Sequence, residues 1–261
     1  MGPLQVLCTE RRGHGPELVR RALESGARRL YAFGGDGTWN EAVAGYFAAP
    51  QAARAGAALA PLPAGSGCDF ARHLRLPLDP GRAAGVLAQG RTLHIDVLRA
   101  EFQDGAGRSV RYLTNMAGVG LVADVAALVE RRGKPLGGTL SYLAAALGVI
   151  TFGAPRSYRL RADGEDLSGR YIAILAANTE YTGGGMRAAP GADHSDGRFE
   201  LLTVAALGRA SLLSILPRLY DGSHLGKPGV VLRRVRRVEI ALSGEADAPV
   251  SPEAADSSRR P

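Results

Sequence analysis

The stretch that most restricts this chain is Gly34-Gly35-Asp36-Gly37-Thr38, which directly follows an apolar, strand-like run from Leu30 to Phe33 and leads straight into a helical pattern. Three glycines in five residues allow positive φ and a close approach of backbone to ligand. Thr38 with Glu41 three residues on reads as a capping box, which predicts that Thr38 starts the helix carrying Trp39, Ala42, Val43 and Tyr46. Strand, glycine turn and helix N-terminus together make an anion cradle. A carboxylate at Asp36 would repel a bare phosphate, but it suits a site in which Mg²⁺ lies between the two. The stretch therefore reads as a nucleotide-phosphate site.

A second loop repeats the arrangement. Ala57 to Leu62 has the character of a buried strand, and Pro63-Ala64-Gly65-Ser66-Gly67-Cys68-Asp69 is a glycine-rich turn before Phe70-Ala71-Arg72. Two successive parallel strands would end in loops on the same edge of one sheet, the edge at which doubly wound sheets bind ligands, so Asp36 and Asp69 are expected to face one ligand. Upstream, Leu4 to Cys8 has strand character, and Leu18, Val19, Ala22 and Leu23 recur at helical spacing after Pro16. Asp79-Pro80 opens one more helix, which ends at Gly90.

Beyond Thr92 the pattern changes. The segments Thr92 to Arg99, Val110 to Met116, Tyr158 to Ala162, Arg170 to Asn178, Phe199 to Val204 and Val230 to Leu242 are strand-like and separated by Gly, Asp and Asn turns. Helical stretches interrupt them at Ala123 to Arg131, Leu140 to Thr151 and Ser211 to Tyr220. The expected organisation is a nucleotide-binding α/β domain over residues 1–91, a β-rich domain over 92–243 and a flexible tail over 244–261.

Whole-chain properties narrow the function classes. The length of 261 residues and a hydrophobic share of 46% are enough for real cores. No apolar run reaches the roughly 18 residues of a membrane span, and the start does not read as a signal peptide, so the cytoplasm is the expected location. Cys8 and Cys68 are too few for a disulfide framework and lack metal spacing. The net charge of +7 comes from dispersed basic residues without aromatic interleaving, which argues against a nucleic-acid partner and leaves polyphosphates or an anionic membrane surface. Lysine occurs only at Lys134 and Lys227, neither in a Walker-type loop. His14, His73, His94, His194 and His224 are scattered at spacings that suggest no metal site. Asp193-His194-Ser195-Asp196 is a triad by letters only, because one tetrapeptide cannot supply that geometry. The run Arg233-Arg234 and Arg236-Arg237 reads as a solvated strand face, with anionic headgroups as the alternative. Tyr142, Leu143, Leu147 and Ile150 read as core, with a lipid-tail cleft as the alternative.

Taken together, the motifs resemble the diacylglycerol kinase catalytic family, which includes the sphingosine kinases and the bacterial soluble lipid kinases. Gly34 to Glu41 (GGDGTWNE) and Pro61 to Arg72 (PLPAGSGCDFAR) resemble its two nucleotide loops, and Thr114 to Gly120 (TNMAGVG) its Asn-x-x-Gly-x-Gly turn. Tyr181 to Pro190 (YTGGGMRAAP), followed by Asp196-Gly197, resembles its second-domain signature. The fold implied is an α/β N-terminal domain with a parallel sheet, like that of NAD kinases and phosphofructokinases, plus a β-rich sandwich-like second domain. The activity implied is ATP-dependent, Mg²⁺-requiring phosphorylation of a hydroxyl on diacylglycerol or a related lipid such as a sphingoid base. The resemblance implies that Asp36, Gly34, Gly35, Gly37 and Thr38 hold ATP phosphates and Mg²⁺, that Gly65 and Ser66 touch a phosphate, and that Asp69 lies near the metal with Arg72 beside it. It further implies a nucleotide contact at Thr9 and a structural Mg²⁺ at Asp196. The lipid would be met at a membrane surface, and peripheral contact with that surface and a homodimer are both compatible with the family.

Departures from the pattern accompany these matches. Members normally begin with an extra strand and an Asn-Pro-x-x-Gly loop ahead of the strand at Leu4. Cys68 stands for an Asn and Val122 for an Asp. The late Asp-Gly-Glu motif, where the catalytic base is expected, is Ser243-Gly244-Glu245, so Glu245 or Asp36 itself would accept the hydroxyl proton. A NAD kinase-type activity and a truncated, non-catalytic homologue that binds nucleotide or lipid are the alternatives.

Overall fold

The computed structural model describes residues 4–90, 92–104, 107–132 and 138–243. The first part holds α1 (Gly15–Glu24), β1 (Arg29–Gly34), α2 (Asp36–Ala48), α3 (Gln51–Arg54), β2 (Ala58–Pro63), α4 (Asp69–His73) and α5 (Pro80–Gln89). Strands β1 and β2 pair in parallel, with Arg29 opposite Ala58 and Gly34 opposite Pro63, so both glycine loops leave the same edge as expected. Trp39, Val43 and Phe70 form the core beneath this edge, with the Trp39 and Phe70 rings stacked at 4.7 Å. Asp79 caps α5 as its position predicts, accepting a hydrogen bond from Arg82 N at 2.8 Å.

Two local expectations are corrected here. Leu4 to Cys8 forms no strand; Leu4 and Val6 are 80% and 74% exposed, and β1 has only β2 as a ladder partner. An apolar alternation becomes a strand only when its backbone finds a partner, which this segment lacks. The capping box at Thr38 is also absent. The N-cap of α2 is Gly35, three residues earlier, and Trp39 N donates to Gly35 O at 3.0 Å. Glu41 instead accepts the backbone N–H groups of Gly13 and Gly15 at 2.9 and 3.0 Å, tying the turn before α1 to α2.

The second part is antiparallel. It comprises β3 (Leu98–Asp104), β4 (Gly107–Leu113), β5 (Met116–Gly120), α6 (Leu121–Arg132), α7 (Gly138–Phe152), β6 (Arg156–Ala162), β7 (Glu165–Asp166), β8 (Gly169–Ala177), β9 (Tyr181–Thr182), β10 (Met186–Arg187), β11 (Phe199–Ala205), α8 (Arg209–Ile215), β12 (Val230–Val235) and β13 (Val238–Leu242). The order in the main sheet is β12, β11, β8, β6, β13, with β5 also paired to β8. The apolar run Ile172 to Ala177 is buried throughout because β8 has a packed layer on each face. Helices α6, α7 and α8 cover one face; Tyr158, Leu160, Ile174, Leu201 and Val235 fill the other.

The long strand expected from Val230 to Leu242 is two strands. They do not pair with each other: β12 joins β11, and β13 crosses to β6. The corner between them is pinned by the Asp163 carboxylate, which accepts from Arg236 N and Arg237 N at 3.1 and 2.8 Å. Residues 92–97, expected as strand, precede β3 without strand structure. Among the described residues no helix is long and apolar enough to cross a membrane.

Candidate functional site

The two glycine loops meet backbone to backbone. A Cβ added at Gly65 would lie 2.5 Å from Gly35 Cα, so neither loop could carry a side chain there without separating them. The glycines of the first loop therefore serve close approach. None of Gly34, Gly35 and Gly37 has positive φ, in contrast to the conformational freedom anticipated for that loop. A Cβ at Gly34 would strike the Thr38 side chain, so glycine at this position leaves room for the Thr38 hydroxyl.

Asp36 sits half-buried in the first turn of α2, with Oδ1 3.4 Å from Phe70 N. Gly67 lets its other oxygen approach the second loop, since a Cβ there would be 2.9 Å from Asp36 Oδ2. Asp69 is placed differently: it is 4% exposed, and its two oxygens accept Gly185 N and Gly184 N, each at 2.8 Å. Gly183, Gly184 and Gly185 all have positive φ (63°, 87° and 107°), so the second-domain Gly-Gly-Gly turn is where left-handed backbone is needed. Two successive N–H groups in such a turn make a nest for a carboxylate. Burial, opposed by these hydrogen bonds, pushes the Asp69 carboxyl above its usual range. Arg72 Nε lies 4.0 Å from Asp69 Oδ1, buried and without a hydrogen-bond partner.

Other contacts lock the two parts together around this point. Trp39 Nε1 donates across the parts to Thr114 Oγ1 at 2.6 Å, and within the second part Asn178 Nδ2 steadies that segment by donating to the carbonyls of Asp96 and Thr114. His73 Nδ1 accepts Glu180 N at 3.3 Å, leaving its Nε2 to donate to His194 Nδ1 at 2.9 Å. Burial and the neighbouring His194 lower the pKa of His73.

Beside the loops lies an open cleft of about 300 Å³ bounded by Thr9, Arg11, Arg12, Thr38 and Glu41. It brings Thr9 and Thr38 together, with two guanidinium groups alongside. Arg11 pairs with Glu17 on α1 and Arg12 with Glu130 on α6. Gly65 and Ser66 are exposed. The cradle of bare backbone, the free side of Asp36 and the arginines fit a nucleotide triphosphate carrying Mg²⁺. Among the described residues no group of three or more His, Cys, Asp or Glu side chains could hold a metal ion. Asp196 fits a cation poorly as it stands, because Oδ2 has Arg234 Nη1 at 3.3 Å and Oδ1 accepts Arg198 N. Glu245 lies outside the described residues.

A second, apolar cleft of about 290 Å³ runs between the sheet and helices α6, α7 and α8. Ile150 lines it, Leu147 is exposed at 41%, and the Tyr142 side chain lies outside the described set. Its wall continues into Thr182, Gly183 and Met186, the flanks of the turn that grips Asp69. The arginine run on β12 is largely neutralised: Arg233 pairs with Glu165, Arg234 with Glu200 and Asp196, and Arg237 with Glu239. Asp193 binds Ser195 within its own loop, and His194 turns to His73, so the tetrapeptide forms no triad. The sequence marks Thr114 and the Gly183–Gly185 run as parts of motifs without revealing that they bind Trp39 and Asp69, and it gives no signal for the His73–His194 pair.

Comparison with known proteins agrees with this architecture. Residues 2–100 match the diacylglycerol kinase catalytic domain, and residues 115–257 match the YegS C-terminal NAD kinase beta sandwich-like domain. The diacylglycerol kinase of Staphylococcus carnosus is 27% identical over 234 residues, covering 90% of this chain and 72% of the relative. That of Mycobacterium tuberculosis is 28% identical over 229 residues, covering 87% and 71%, and that of Bacillus subtilis 27% over 215 residues, covering 82% and 67%. The crystal structure of a diacylglycerol kinase from Bacillus anthracis superposes with a TM-score of 0.65 at 20% identity, over 91% of this chain and 74% of its own. With a parallel glycine-loop edge, a sandwich-like β domain fastened to it and the two domain matches following one another along the sequence, the chain belongs to the diacylglycerol kinase catalytic-domain family.

Proposed function

We propose that this chain transfers the γ-phosphate of ATP to a hydroxyl of diacylglycerol or a related lipid, with Mg²⁺. The observation that carries the reading is the shared Gly183–Gly185 turn: one side flanks the apolar cleft, and the other holds Asp69 of the second glycine loop. A lipid with its tail in that cleft would bring its headgroup hydroxyl towards Asp36. The curated relatives bearing the name diacylglycerol kinase support the same assignment.

In this reading the bare backbone at Gly35, Gly37 and Gly65 and the hydroxyls of Thr9, Thr38 and Ser66 receive the phosphates, and Arg11, Arg12 and Arg72 offset their charge. Asp36 would hold Mg²⁺ together with the phosphates, and the bound ion would neutralise the charge that spreads over the transferred group. Asp36 accepts the hydroxyl proton or orients the hydroxyl; Glu245 is the other carboxylate proposed for that role. Asp69 fixes the distance between the loops and the lipid cleft through Gly184 and Gly185. Phe152, 87% exposed at the end of α7, and Leu213, 46% exposed on α8, lie on helices that line the cleft and suit shallow contact with a bilayer.

One observation favours a second reading. Both oxygens of Asp69 are already engaged, leaving Asp36 as the open carboxylate, as a non-catalytic homologue would also tolerate. Labelled ATP, Mg²⁺ and a panel of diacylglycerol, sphingoid base and NAD separate these outcomes. Radiolabelled phosphatidic acid is the expected product; NADP alone would indicate a NAD kinase, and a nucleotide-induced rise in melting temperature without product would indicate a binder.

A further inference from the structure

The hairpin that carries the Gly183–Gly185 turn is too short to hold itself in place. Strands β9 and β10 have two residues each, paired Tyr181 to Arg187 and Thr182 to Met186, and all three glycines at the tip are left-handed. A two-stranded hairpin is marginal at best in water, so its position depends on what grips it from outside. Asp69, at the start of α4, grips the tip through Gly184 N and Gly185 N. Glu180 grips the base. Its carboxylate accepts Arg187 Nη2 at 2.8 Å and Arg187 Nε at 3.2 Å, closing the two ends of the hairpin, and Gly191 N at 2.6 Å, fastening them to the segment beyond β10. Its backbone N–H donates to His73 Nδ1, at the far end of α4, at 3.3 Å. Helix and hairpin are thus joined at both ends. The Glu180 side chain is 17% exposed. Burial favours its neutral form, but the hydrogen bonds from Arg187 and Gly191 and the Arg187 charge outweigh it and lower the pKa, so the carboxylate stays ionised. A forked pairing of this kind fixes orientation as well as distance.

The body held in this way has two working faces. Thr182, Gly183 and Met186 line the apolar cleft, while Gly184 and Gly185 hold the second glycine loop through Asp69. We infer that Glu180 is a positioning residue: by anchoring the β9–β10 hairpin to Arg187, Gly191 and His73, it aligns the apolar cleft with the glycine loops. The inference rests on the proposed function only in taking the cleft as the lipid site and the loops as the nucleotide site. The cleft beside the loops is lined from the first part of the chain, by residues 9–41, and the apolar cleft from the second, by residues 116–224. Loss of Glu180 should therefore leave each site able to bind and spoil the geometry between them. Such a loss appears in kcat and leaves both KM values nearly unchanged.

Two substitutions grade the anchor. Glu180→Ala removes it, whereas Glu180→Gln keeps an oxygen for Gly191 N and Arg187 Nη2 and gives up only the partner of Arg187 Nε. Backbone amide hydrogen exchange is followed by NMR in the wild type and both variants, and transfer of labelled phosphate from ATP to a short-chain diacylglycerol in mixed micelles is measured separately. Exchange at Gly184 and Gly185 is expected to quicken about tenfold in Glu180→Ala, the worth of one hydrogen bond, and about threefold in Glu180→Gln, while the amides of β8 and β11 keep their protection. The Gln variant decides the matter where Ala weakens the whole fold. In the same order, kcat is expected to fall about tenfold and about threefold, with both KM values within about twofold of the wild type. Unchanged exchange at the two glycines in the folded variants, or exchange quickened equally in β8 and β11, overturns the inference. An unchanged kcat in a protein that does transfer phosphate overturns it as well and leaves the kinase reading standing. Quickening confined to the glycine turn, with no transfer by the wild type, supports the anchoring by Glu180 and overturns the kinase reading instead.

Discussion

The most restrictive single position is Gly65, where backbone meets backbone. A methyl group there must displace the main chain at Gly35, which cannot yield as a flexible side chain would. Gly65→Ala is expected to cost about 1–3 kcal/mol in chemical denaturation and to abolish turnover. Gly37 is the matched control, because a Cβ there meets nothing within 4 Å and its φ is ordinary. Gly37→Ala should keep or slightly raise stability, by up to about 1 kcal/mol from helix propensity, so any fall in turnover would report its contact with nucleotide. At Asp69, exchange for Asn sets an amide NH₂ against a backbone N–H of the glycine turn. Asp69→Asn is expected to destabilise by about 1–3 kcal/mol, and unchanged denaturation would show that the nest contributes little.

At the scale of elements, the corner between β12 and β13 depends on Asp163, which is itself left-handed at φ 48°. Asp163→Ala removes the acceptor for Arg236 N and Arg237 N and leaves a residue poorly suited to that backbone, at a cost of about 1–2 kcal/mol. Asp163→Asn should restore most of it, since Asn tolerates the conformation and keeps one acceptor oxygen; thermal melts of both variants check this. The corner also shows where sequence reading stops. Apolar alternation from Val230 to Leu242 marks strand, but which partner each half takes depends on a carboxylate some seventy residues away. The same limit applies to Glu41, whose spacing to Thr38 imitates a capping box while its side chain serves Gly13 and Gly15. By contrast β1, β2, α5 and the two glycine loops were legible, because their signals are local: an apolar run, a cap, a turn. The nest for Asp69 was half legible. Its three glycines are plain in the sequence, but the carboxylate that they serve lies in the other part of the chain.

Across the whole molecule, the two parts are joined through Trp39 to Thr114, Asp69 to the glycine turn and His73 to His194. The last junction is sensitive to protons. His73 has its pKa lowered from an ordinary value of 6.5, so its stabilising contribution is complete above that pH and is lost as pH falls through the lowered value. Protonation would place a cation beside His194 and Arg75, partly offset by Glu180 and Asp193, and would break the bond from Glu180 N. The melting temperature is expected to fall below about pH 6.5. His73→Gln should show a shallower fall, the remainder coming from His224, whose pKa is lowered in the same direction. Identical pH slopes in the two proteins would remove His73 from this role.

The same junctions hold the apolar cleft beside the glycine loops, and in the proposed function the two act as one active site through Asp36. The most direct measurement follows labelled phosphate from ATP into diacylglycerol in mixed micelles, comparing the wild type with Asp36→Asn. Transfer by the wild type, reduced at least about 100-fold in the variant without loss of fold, is the predicted result. Transfer that the variant matches, or none by either protein, would contradict the account.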